Sequence, residues 1–126
     1  MKKFKCYLID KGYNIKGEAD MDNKHDKGKY KPSLIYTSLL EELSKVRMYG
    51  KELHGSFTSW EGVEPIRWLD AAIRHIRAVM DGDILDKDSG IYHLSHAACS
   101  IMYAIEKVYM IELKAKLMKE EKTNGD

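Results

Sequence analysis

A chain of 126 residues fits one domain, and its apolar share of 44% supplies a modest core. Lys and Arg total 21 against 20 acids, a formal charge of +1, which argues against a general nucleic-acid binder with its concentrated positive excess. No apolar run approaches the roughly 20 residues that span a bilayer, so no membrane association is expected. Met1-Lys2-Lys3-Phe4-Lys5 leads into mixed polar sequence without the pattern of a signal peptide. Cys6 and Cys99 lack metal-ligand spacing and are expected as reduced thiols, which points to a cytoplasmic protein.

The near-zero charge conceals separated groups. Residues 1–31 hold nine lysines against five acids, residues 81–88 hold four aspartates and one lysine, and all four arginines lie between. Residues 1–31 read as a basic N-terminal arm. Within it, Phe4, Cys6 and Leu8 alternate with polar neighbours ahead of Lys11-Gly12, the pattern of a short β-hairpin, although an isolated ribbon is marginal.

Helical periodicity begins after Pro32. Leu39, Leu40, Leu43 and Val46 form a stripe over Ser38–Tyr49, with Ser38 and Glu41 at capping-box spacing and Gly50 as the stop. The connection 51–62 contains Gly55, Trp60 and Gly62. A second helix is expected over 64–80, opened by Pro65, with Ile66, Leu69, Ile73, Ile76 and Met80 on the buried side. A third should start near Ser89, capped by Asp88 or Ser89, and run to Met118 on a stripe of Leu94, Ala98, Ile101 or Met102, Ile105 and Val108. The expected architecture is all-α: three main helices over 32–118 forming one helical domain, and a flexible tail over 119–126. Long helices in so short a chain suggest a core completed in a homodimer or higher homo-oligomer.

His93 and His96 share one face of the third helix, and that face continues to Ser100 and Tyr103. Asp83, Asp86 and Asp88 lie just upstream. Carboxylates suit Mg²⁺ or Mn²⁺, and imidazole tilts a mixed site toward Mn²⁺. Arg74-His75 sits between Ile73 and Ile76, which suggests a pocket wall. Trp60 can stack on a base. Lys24, Lys29 and Lys31 around Gly28 could clamp phosphate, although the Walker pattern is absent.

Taken in order, these segments resemble a phage and bacterial dATP/dGTP diphosphohydrolase family. The resemblance runs through Asp26-Lys27-Gly28-Lys29-Tyr30-Lys31, Val46-Arg47-Met48-Tyr49-Gly50, Trp60, Ala72-Ile73-Arg74-His75, Gly82-Asp83-Ile84-Leu85-Asp86-Lys87-Asp88-Ser89-Gly90 and His93-Leu94-Ser95-His96-Ala97-Ala98-Cys99, spanning residues 24–110. It implies a distant likeness to MazG-type all-α pyrophosphohydrolases and a metal-dependent conversion of a purine deoxynucleoside triphosphate to monophosphate and pyrophosphate. The site it implies has Glu41, Asp86, His93 and His96 around Mg²⁺ or Mn²⁺. Arg74 joins Lys29 and Lys31 on the phosphates, Trp60 or Tyr92 stacks on the purine, and His75 orients water; Glu41, Arg74 and His75 are the candidate catalytic residues. Ser38, Leu53 and Ser59 depart from the family pattern, although Lys51 is close enough in sequence to replace the phosphate contact of the lysine lost at Leu53; these departures favour an alternative, a non-catalytic protein that binds or sequesters a nucleotide. A small helical interaction module is the third reading.

Overall fold

A computed structural model describes residues 2–12 and 25–124. The chain divides into two compact units, 1–34 and 35–126. In the first, α1 (Lys2–Asp10) closes through Lys11 and Gly12, whose backbone N–H groups donate to Tyr7 and Ile9. The expected first strand of a hairpin is therefore a helix. Its nine consecutive residues contain no Gly or Pro to break a helix, and helical hydrogen bonds form within one segment, whereas a lone two-stranded ribbon is marginal. The second strand of that hairpin falls on residues outside the described ones. A 3₁₀ turn, Pro32–Leu34, ends the unit.

The second unit carries α2 (Thr37–His54), a 3₁₀ turn (Ser59–Gly62), α3 (Pro65–Met80) and α4 (His93–Asn124). It is all-helical among the described residues, apart from one isolated antiparallel bridge between Leu85 and Tyr92. Both α2 and α3 pack against α4.

α2 starts one residue earlier than expected, and the capping box does not form: Tyr36 takes the N-cap position without a side-chain hydrogen bond. Gly50 does not stop it either. The helix runs through to Gly55, which adopts φ 75° and donates its N–H to the carbonyl of Lys51. α3 follows the expected bounds closely, with Pro65 in its first turn and Arg77 near its end.

α4 begins at His93, four residues after the anticipated start. Asp86 spends its carboxylate on the turn itself, accepting from the backbone N–H and hydroxyl of Ser89 at 3.0 and 2.7 Å. Gly90 at φ 73° reverses the chain, and His93 N–H donates to Ile84 across the bridge. Asp88 and Ser89 therefore do not cap α4. The helix continues to Asn124, past the anticipated end at Met118.

The buried surface is the main departure from the periodicity argument. Ala72, Ala97, Cys99 and Ala104 form the buried apolar core, joined by His93, Ser95 and Ser100. The large apolar side chains expected inside are exposed: Ile66, Leu69, Ile73, Ile76 and Met80 on α3, and Leu94, Ile101, Ile105 and Val108 on α4. α3 and α4 meet on their small-residue faces, which allow close approach, and leave both broad apolar stripes facing outward.

Candidate functional site

Small residues at the helix crossings bring larger side chains together at one end. The C-terminal half of α2, the 3₁₀ turn, α3 and the first three turns of α4 enclose a cavity of about 310 Å³. Its wall is aromatic. The rings of Trp60 and Tyr103 stack at 4.8 Å and 16°, Trp68 meets Tyr103 at 4.7 Å, and Phe57 closes another side. Lys107 donates to the Glu61 carbonyl, tying the 3₁₀ turn that carries Trp60 to α4. Arg47, His75 and His96 supply polar wall groups. The indole N–H of Trp68 is buried with no acceptor among the described residues.

His96, Ser100 and Tyr103 all line this cavity, so the α4 face singled out by histidine spacing is the one that faces it. Burial and the contact with Cys99 push the Tyr103 phenol up to about 12, and burial also raises the Cys99 thiol.

Beside the cavity, α3 and α4 join three imidazoles. His75 Nδ1 and His93 Nδ1 stand 2.8 Å apart, and the His75 and His96 rings stack at 4.8 Å. His93 Nε2 lies 3.2 Å from Asp83, while His96 Nε2 lies 2.7 Å from the Ser89 hydroxyl and 3.6 Å from Asp86. Burial lowers the pKa of His75, with repulsion from the other two rings adding to it. His96 is lowered by burial despite the opposing pull of Asp86. Burial raises the Asp86 carboxyl, but the two Ser89 hydrogen bonds and the nearby histidines outweigh it and leave the pKa low.

These contacts restrict the tautomers. A neutral His93 that donates Nε2–H to Asp83 must accept at Nδ1, so His75 donates its own Nδ1–H. The lone pair of His75 then lies on Nε2. A pocket-lining imidazole held in that state can accept a proton from water.

Arg74 lines a neighbouring cavity with Arg67 and Asp70; His54, Val63, Trp68 and Ala71 line both cavities. Tyr92 is exposed and pairs with Leu85 in the bridge, away from the aromatic wall. Lys29 and Lys31 are exposed in the first unit. Glu41 is exposed and makes no hydrogen bond or ion pair with the histidines, whereas Glu42 accepts from the Ser95 hydroxyl of α4 at 2.8 Å. Glu42 also pairs with Lys45, and these two bonds lower its pKa.

Of the four proposed metal ligands, His96 Nε2 and Asp86 stand 3.6 Å apart, while Glu41 makes no hydrogen bond or ion pair with the histidines. Among the described residues, no group of three or more His, Cys, Asp or Glu is placed to hold an ion. Both ring nitrogens of His93 are engaged, and Asp86 is committed to Ser89. These donors do not fit a preformed Mg²⁺ or Mn²⁺ cradle, which needs several free oxygens.

A family model described as dATP/dGTP diphosphohydrolase, N-terminal, matches residues 19–116. The chain belongs to that family. It is also 34% identical over 80 residues to a dATP/dGTP diphosphohydrolase of Salmonella phage PMBT28, a match covering 64% of this chain and 27% of the relative. The chain thus spans about a quarter of that relative's length. No solved structure matches. Among the described residues, no helix is long and apolar enough to cross a membrane.

Proposed function

We propose that this dATP/dGTP diphosphohydrolase-family domain takes a purine deoxynucleoside triphosphate in the aromatic cavity and hydrolyses it to monophosphate and pyrophosphate. The observation that carries this reading is the stacked Trp60–Tyr103 wall standing beside His75 and His96 in a chain of that family. A cavity of about 310 Å³ lies at the small end of ligand sites, and its flat rings suit a planar heterocycle. His75 Nε2, set by the Asp83–His93 contacts, orients or deprotonates the attacking water. Mg²⁺ or Mn²⁺, implied by the family resemblance, would neutralise phosphate charge when bound; among the described residues no group of three or more His, Cys, Asp or Glu is placed to hold it. A MazG-like architecture is part of the same proposal, supported by the all-helical second unit. So is a homodimer or higher homo-oligomer, supported by the exposed stripes of α3 and α4.

The test is product analysis. Purified protein is incubated with each of the four deoxynucleoside triphosphates and Mg²⁺ or Mn²⁺, and the products are separated. Equimolar monophosphate and pyrophosphate from dATP or dGTP is expected, with a loss of about 10²-fold or more in His75→Ala. Nucleotide that binds and is recovered unchanged would instead support a sequestering protein.

A further inference from the structure

The sequence assigned the phosphate group to Lys29, Lys31 and Arg74, and Arg74 does not line the aromatic cavity. Two other cations stand closer to it: Arg47 lines the cavity, and Lys51, which does not, lies over the ring of Phe57, which does. Arg47 and Lys51 lie one turn apart on α2, and both stand over the same ring: the guanidinium carbon is 5.6 Å from the Phe57 centroid and the ammonium nitrogen 4.9 Å. Arg47 is also 5.6 Å from the Tyr103 centroid, and its hydrogen bond to the Tyr103 hydroxyl is long, at 3.4 Å. Neither cation has a carboxylate within ion-pair distance among the described residues. Their neighbours on this side are ring faces, which attract cations but leave the guanidinium donors largely unused.

Two like charges at this spacing on a helix repel each other. Arg47 is half-buried in the cavity wall, so water offsets that repulsion only in part. An anion seated between the pair would turn repulsion into attraction and take up the free donors. A guanidinium fork is well matched to phosphate oxygens, and the flexible lysine can follow a longer chain of them.

We infer that Arg47 and Lys51 form the phosphate clamp of the aromatic cavity, holding the polyphosphate of a nucleotide whose base stacks within it. The clamp rests on the nucleotide reading above, and its ligand is a polyanion attached to a planar base.

The experiment compares dATP with deoxyadenosine, which shares the base and lacks the phosphates. Dissociation constants are read from tryptophan fluorescence for the intact wild-type chain, Lys51→Gln, Arg47→Gln and Arg47→Lys. Lys116→Gln, on the exposed far part of α4, controls for a general loss of charge. The clamp predicts that Lys51→Gln and Arg47→Gln each weaken dATP about tenfold or more, with deoxyadenosine changed less than about twofold. Arg47→Lys should fall between wild type and Arg47→Gln. Unchanged dATP affinity in Lys51→Gln and Arg47→Lys overturns the clamp while leaving the nucleotide site standing. Equal weakening of dATP and deoxyadenosine also overturns it, because the cations then act only through the rings. A wild-type chain that binds neither compound removes the nucleotide reading together with the clamp. Lys51 is exposed, so its variant keeps the test open even where an Arg47 variant folds poorly.

Discussion

Tyr103 links the cavity's parts: its ring stacks on Trp60, its hydroxyl meets Arg47, and burial holds its proton until about pH 12. The folded chain keeps that proton between pH 10 and about 12, where an unfolded tyrosine releases it. The native state binds more protons there, so stability falls as pH rises through this window. Phenolate absorbance should show one tyrosine ionising well above the rest, and Tyr103→Phe should remove that late step. A late step that persists in Tyr103→Phe would show that the phenol is not held in this way. At this scale the sequence was informative about spacing but poor about partners. His93 and His96, with Ser100 and Tyr103 further along, were readable as one face because helical periodicity requires it. The roles of Arg47 and Trp68 were not, because nothing in α2 or α3 alone reveals that their side chains converge on the Tyr103 ring carried by α4.

The helices themselves were largely legible, and their faces were not. Periodicity located α2, α3 and most of α4 within a few residues. It then assigned the widest apolar stripe to the inside, whereas α3 and α4 bury Ala72, Ala97 and Ala104 instead. Periodicity identifies an apolar stripe but says nothing about whether its partner is in the same chain. Turn chemistry was the other gap: Asp86, Ser89 and Gly90 build a closed turn where a cap was expected, delaying α4 to His93. Gly50 gives an element-level prediction. It sits inside α2 at the cavity wall, and an added Cβ would meet no atom within 4 Å. Gly50→Ala should therefore stabilise the helix by about 0.5–1 kcal/mol in denaturant unfolding while weakening nucleotide binding, because the methyl takes cavity space. Destabilisation, or tighter binding, would contradict the placement of Gly50 as an open wall position.

At the scale of the whole chain, the exposed stripes of α3 and α4 exceed what scattered surface apolar residues account for. The chain should self-associate, with sedimentation velocity giving a dimer or higher species. Ile73→Lys combined with Ile105→Glu should shift it toward monomer, since both residues are about half exposed on the open stripes. A monomer at all concentrations would contradict that account. The charge balance also has a clearer meaning at this scale. A net charge of +1 spoke only against a long polyanion; Arg47 and Lys51 show how a neutral chain can still keep a local cation pair for a short one.

A crystal structure with a non-hydrolysable dATP analogue shows whether the aromatic cavity is the purine site. The purine ring is expected against Trp60, Tyr103 or Phe57, with its phosphates leaving the cavity past Arg47. A purine seated against Tyr92, or in the neighbouring cavity beside Arg74, would contradict it.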